Sequence, residues 1–330
     1  MPASDDTTDT DSAVEFGRTS GGGGAAGVQR EWDNPAISMF DGVEHVPGAP
    51  KPDPILVADG VSRSFGGLRA VDVEHLEVQR GAITALIGPN GAGKTTFFNL
   101  LTNFDSPDEG KVIFNGAETS GERSHQLAAK GMVRTFQLTK VLAKMTVLDN
   151  MMLAAQAQTG EAMWRGLLSG WHAQEKRVEA RSLEILDEFN MTHMKDEYAG
   201  ALSGGQRKLL EMARAMMANP TLIMLDEPMA GVNPALTQSL LGHVKRLRSE
   251  GITVMFVEHD MDVVQDISDW VVVMAEGMII AEGPPRSIGE NMAVVDAYLG
   301  SSHAALTEEI REASDNEPND ADPTGSESDV

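Results

Sequence analysis

Three short, nearly unbroken apolar runs stand out along this 330-residue chain: AITALI at 82–87, LIML at 222–225 and ITVMFV at 252–257. Runs of this length, bounded by glycine, proline or charge, predict strands buried on both faces of a parallel sheet. The first is followed by TFFNLL at 96–101, which predicts the opening turns of a helix. The second ends in Asp226 and Glu227 with Pro228 behind them, so it reads as a central parallel strand with carboxylates at its C-terminal end. From 138 to 201 the pattern turns helical, first at 153–157 and then at 175–189. There Val178, Leu183, Ile185, Leu186 and Phe189 share one face. A helix over 207–219 follows, with Ser203 as a good N-cap ahead of it. Strands and helices alternate from 220 to 281, as in a parallel sheet, whereas 55–131 reads as strands and turns.

The two ends break this pattern. Residues 1–54 are rich in Asp, Thr, Ser and Gly, and 301–330 are similar apart from a short helical stretch at 303–313. Both carry too little apolar content to fold alone and read as disordered acidic tails around one folded domain at 55–300. The formal net charge is −24, with more than half of it on these ends. The remainder lies on the folded part, an acidic surface that repels nucleic acid and suits a high-salt organism. The chain has no cysteine, which excludes disulfides and thiolate metal sites. Its apolar runs are strand-sized rather than membrane-spanning, and the N-terminus lacks the basic and apolar regions of a secretory signal, so a cytoplasmic location is expected.

The chemistry sits where the runs end. Gly88, Pro89, Asn90, Gly91, Ala92, Gly93, Lys94, Thr95 and Thr96 spell GPNGAGKTT, which contains the phosphate-loop pattern G-x-x-x-x-G-K-[ST]. A glycine loop between strand and helix turns successive backbone N–H groups toward an anion at a positive helix terminus. Lys94 is expected to reach the β- and γ-phosphates, and the Thr95 hydroxyl to ligate Mg²⁺. Asp226 is placed to hold Mg²⁺ through water, and Glu227 to orient or deprotonate an attacking water. Ser203, Gly204, Gly205 and Gln206, in LSGGQ, form a second backbone-rich anion site at a helix start.

These motifs, in this order and followed by the lone His259, resemble the ATP-binding cassette (ABC) ATPases over roughly 55–300. The resemblance implies an α/β P-loop ATPase fold: a parallel or mixed sheet core, an antiparallel β subdomain and a helical subdomain inserted at about 138–219. It implies ATP and Mg²⁺ as ligands. It assigns adenine stacking to Phe65, the Mg²⁺ and water shell to Gln137 in GMVRTFQ, and γ-phosphate contact to His259. In that family LSGGQ closes on the nucleotide of a second copy. Asn233, in AGVNP, departs from the usual aspartate of that loop. GMVRTFQ, AGVNP and the AYLG ending at 297–300 resemble the ATP-binding subunit of branched-chain amino acid importers. That likeness implies a second ATPase subunit, identical or sister, two transmembrane permeases and an external solute-binding protein, with this chain peripheral on the cytoplasmic face. ATPases for urea and other solutes share the same vocabulary. A translation or repair ABC ATPase fits less well, because only a little over a hundred residues, without heptads, separate the phosphate loop from LSGGQ. A regulatory module without turnover would dispense with Lys94, Glu227 or His259, and all three are present.

Overall fold

The computed structural model describes residues 37–135, 141–155 and 171–299. Gln137 and the stretch 303–313 lie outside the described residues. In chain order, β1 (Pro54–Phe65), β2 (Leu68–Gln79) and β3 (Ile83–Ile87) precede α1 (Lys94–Leu101). Next come β4 (Glu109–Phe114), β5 (Ala117–Glu118), α2 (Ser124–Ala129) and β6 (Met132–Arg134). The helices α3 (Val147–Ala154), α4 (Trp171–Glu188) and α5 (Gly204–Met216) follow. The chain then alternates through β7 (Leu222–Asp226), α6 (Pro234–Ser249), β8 (Thr253–Val257) and α7 (Met261–Ile267). It ends with the hairpin β9 (Trp270–Ala275) and β10 (Met278–Gly283), then α8 (Pro285–Gly289).

Two sheets result. One is antiparallel with order β2-β1-β4-β5, and the other is six-stranded with order β10-β9-β3-β8-β7-β6. All neighbours in the larger sheet are parallel except β9 and β10. The run at 222–225 is interior as expected, but β3 and β8 take the middle of the sheet and β7 lies one strand from its edge.

Alternation along β7 shows why these runs have no polar face. Leu222 and Met224 point into a core shared with Phe97, Phe98, Leu100 and Leu101 of α1 and with the antiparallel sheet. Ile223 and Leu225 point the other way, into a core built with α5, α6, α7 and the inserted helices. Each fully buried Leu, Ile or Phe contributes roughly 1.5–3 kcal/mol relative to exposure, so the sheet is fixed from both sides.

The inserted helices differ in detail from their pattern. α3 begins at a capping box in which Thr146 accepts from Asp149 N–H, and it ends at Ala154, while 156–157 of the expected helical stretch lie outside the described residues. On α4, Ile185, Leu186 and Phe189 are buried as expected, but Leu183 is only partly covered and Ser182 takes the inward position. The Ser182 hydroxyl lies 3.8 Å from the Met217 sulfur, which explains how a polar residue fits there. α5 starts at Gly204, earlier than 207, because Ser203 caps it directly.

Packing also begins before residue 55. Phe40 stacks on Trp270 with ring centroids 4.7 Å apart, and His45 meets the same indole edge-on. Beneath them Lys51 Nζ lies 3.0 Å from Glu282 Oε2, with both side chains fully buried. Glu282 also accepts from Trp270 Nε1 at 3.0 Å and from Gly48 N–H at 2.8 Å. Residues 37–53 therefore strap the outer hairpin of the large sheet, so this part of the stretch expected as a tail at 1–54 is packed. Lys51→Met removes one partner of a buried pair and leaves Glu282 uncompensated. A loss of about 3–5 kcal/mol is expected in urea denaturation.

Candidate functional site

Register places the functional loops in one row. Leu86 of β3 pairs with Val257 of β8, and Val257 pairs with Asp226 of β7. The chain therefore leaves all three strands at the same edge, releasing the phosphate loop, Glu227 and His259 side by side. Ligands of open α/β sheets bind at this edge.

The phosphate loop is held by its glycines and by the β9–β10 turn. A Cβ at Gly88 would sit 2.0 Å from Met274 O, and one at Gly93 would sit 2.4 Å from Ala70 O. Gly93 also has φ +96°, the left-handed region that favours glycine, as the N-cap of α1. Gly277 N–H donates to Ala92 O at 3.0 Å, tying the turn to the loop. Lys94 folds back over its own loop, with Nζ donating to Gly88 O at 2.8 Å and Pro89 O at 2.9 Å. Burial lowers the pKa of its ammonium, and the nearby Glu227 and Asp226 carboxylates partly oppose that effect. Asn90, Gly91 and Thr95 are exposed at the loop, while Pro89 and Thr96 are half-buried.

Asp226 is buried and paired. Arg134 Nη2 lies 2.8 Å from Asp226 Oδ2, and Nη1 donates to Asn99 Oδ1 at 2.6 Å and Thr102 Oγ1 at 3.3 Å. Arg134 thus joins β6, the helix that carries Lys94 and Thr95, and the carboxylate of β7. It lies inside the quoted GMVRTFQ, yet its sequence position gave no sign of a partner 92 residues away. The Thr95 hydroxyl and Asp226 carboxylate are the hard oxygen donors that suit Mg²⁺, which is usually held by one or two carboxylates plus phosphate and water. The donor chemistry fits the ion.

Glu227 has φ +46°. Such a conformation costs a carboxylate residue about 1–3 kcal/mol and persists only when its surroundings hold it. Its N–H donates to Val257 O at 3.1 Å, and its carbonyl accepts from Ala230 N–H and from Lys208 Nζ, the latter at 2.8 Å. Next to His259, the buried Glu258 accepts from Met229 N–H at 3.0 Å. Burial pushes its pKa up, partly countered by the backbone N–H groups of Met229 and His259. The His259 side chain is 62% exposed at this edge. Phe65 is 49% exposed at the end of β1, with the Arg63 guanidinium over its ring at 5.1 Å. Lys208 and Glu258 were missed in the sequence, although each adjoins a motif that was read.

The LSGGQ segment opens α5 with a reciprocal capping box. Ser203 N–H donates to Gln206 Oε1 at 2.8 Å, and Ser203 Oγ accepts from Gln206 N–H at 3.3 Å. Ser203 and Gly204 are exposed. Gly205 is glycine for another reason, because a Cβ there would lie 1.9 Å from Leu236 Cδ2. It lets α5 approach α6, while Gly204 keeps open backbone. Asn233 caps α6 by accepting from Leu236 N–H at 3.0 Å, a task aspartate performs equally well.

Comparison with known proteins agrees with this arrangement. The family model for ABC transporters matches residues 71–230. A protein of Archaeoglobus fulgidus named probable branched-chain amino acid transport ATP-binding protein LivG is 41% identical over 252 residues, 76% of this chain and 98% of its own length. The chain belongs to the ABC transporter family. The high-affinity branched-chain amino acid transport ATP-binding protein BraF of Pseudomonas aeruginosa is 40% identical over 252 residues, covering 76% of this cassette chain and 99% of that protein. A crystal structure of a nucleotide-free ATP-binding cassette from an ABC transporter superposes with a TM-score of 0.65 at 36% identity, covering 74% of this chain and 98% of that one. These relatives are nearly fully covered, so about a quarter of the cassette chain lies outside what they share.

Proposed function

We propose that this chain is the ATP-hydrolysing subunit of an importer for branched-chain amino acids, working peripherally on the cytoplasmic face of the membrane. One observation carries the hydrolytic part: the phosphate loop, Asp226, Glu227 and His259 leave one sheet edge in register. Backbone N–H groups of 88–96 and Lys94 bind the phosphates. Thr95 and Asp226, joined by Gln137, hold Mg²⁺, which when bound neutralises phosphate charge. Glu227 accepts the proton of the attacking water, and His259 meets the γ-phosphate side. Phe65 stacks on the adenine. Ser203, Gly204, Gly205 and Gln206 close on the nucleotide of a second ATPase subunit, so ATP binding and hydrolysis close and open the pair. The solute assignment rests on the names of the relatives, and the acidic surface fits a high-salt cytoplasm.

No helix among the described residues is long and apolar enough to cross a membrane. In the proposed assembly force passes to two permeases, which receive solute from an external binding protein. Leu153 and Tyr198, 55% and 63% exposed, present apolar surface on the inserted helical region. They form the proposed permease contact. Leu153→Ser and Tyr198→Ser are expected to keep ATP affinity and hydrolysis by the isolated chain but to lower permease-stimulated hydrolysis severalfold, as interface truncations of ~1–2 kcal/mol do. Equal losses in the isolated and membrane-assembled assays would indicate a folding defect, and no loss in either would place the contact elsewhere.

A further inference from the structure

The hydrolytic reading leaves open what keeps Glu227 in a conformation its residue type disfavours. β7 ends at Asp226, and the Glu227 carbonyl lies just beyond the strand. It is met by Ala230 N–H at 3.2 Å across its own turn and by Lys208 Nζ at 2.8 Å from outside. Lys208 lies on α5 two residues after Gln206, on the helix opened by the Ser203 cap. Its ammonium is half-buried; burial lowers its pKa, an effect that the nearby Glu258, Glu211 and Glu227 carboxylates partly oppose. Glu258 in turn accepts from Met229 N–H, on the segment that follows Glu227, and from His259 N–H.

We infer that Lys208 is a positioning residue for hydrolysis: it holds the Glu227 peptide in its left-handed conformation and ties it to the helix that begins with LSGGQ. The inference rests on the reading of Glu227 as the base. A charge-assisted hydrogen bond to a carbonyl is stronger than a neutral one, and here it comes from a different element. Motion of α5 when Ser203–Gln206 engage a nucleotide therefore reaches Glu227 of the same copy directly. The carboxylate then points correctly only while α5 is seated. Misplacing a reacting group by about 1 Å costs on the order of 10²-fold in rate.

The test compares the full chain with Lys208→Met, which keeps the aliphatic stem and removes the donor, and with Lys208→Arg. Each is made alone and in a Glu227→Gln background, using single-turnover hydrolysis of radiolabelled ATP. Lys208→Met is expected to lower the hydrolysis rate about ten- to hundredfold, with KM for ATP, nucleotide affinity and melting temperature unchanged. Lys208→Arg recovers part of the rate, and Lys208→Met has no further effect once Glu227 is Gln. If Lys208→Met does not fold, Lys208→Gln takes its place with the same expectation. An equal loss in both backgrounds, or a raised KM at unchanged rate, would overturn the positioning role. Full-speed hydrolysis by Glu227→Gln alone would instead remove Glu227 as the base, a distinct outcome.

Discussion

Glu227→Gln is expected to lower ATP hydrolysis about 10²–10⁴-fold, the usual cost of losing a general base. Gln keeps the size of the side chain, and the contacts that fix this residue are made by its backbone: N–H to Val257 O, carbonyl to Ala230 and Lys208. The strained turn should therefore form as before, and the phosphate loop and Asp226 are untouched. ATP still binds but is not consumed, so two-copy closed forms accumulate. Size-exclusion chromatography with saturating ATP and Mg²⁺ checks this directly. The variant elutes as a dimer with its subunit partner where the wild type returns to monomer as ATP is spent. A variant that stays monomeric with the proper partner present would rule out closure across LSGGQ.

Lys94→Ala acts on binding as well as chemistry. The ammonium lies over the loop, donating to Gly88 O and Pro89 O. Removing it leaves the backbone donors and the metal residues in place. ATP affinity is expected to fall about tenfold or more, as for a lost charged hydrogen bond. Hydrolysis should fall a further ~10²–10³-fold, the scale for a lost transition-state donor. Fluorescent-nucleotide titration and steady-state hydrolysis separate the two effects. Near-normal turnover would make the loop irrelevant to catalysis.

Sequence and structure agree best where one residue type at one spacing has one physical use. Strand β3, the glycine loop and α1 were legible because apolar run, glycines and helix start are local. β7 was legible for the same reason, as was the buried face of α4 at Ile185, Leu186 and Phe189. Contacts made across the sheet were not. Arg134 meets Asp226 only because β6 pairs with β7, and Lys51 meets Glu282 across 231 residues of sequence. Composition could not separate the strap at 37–53 from the polar stretch before it. Its anchors are single residues, Phe40 and Lys51, set among prolines and glycines. Gly205 shows a different limit. LSGGQ suggested exposed backbone for both glycines, but one of them is small so that Leu236 can pack.

Uptake itself tests the central claim most directly. The chain is assembled with its two permeases in proteoliposomes, the solute-binding protein and labelled leucine are supplied on the external side, and ATP with Mg²⁺ on the face that carries this chain. Leucine is expected to accumulate only with ATP, in proportion to ATP hydrolysed, and accumulation should vanish with Glu227→Gln. Accumulation that persists without ATP or with Glu227→Gln, or brisk hydrolysis with no movement of any branched-chain amino acid, would contradict this account.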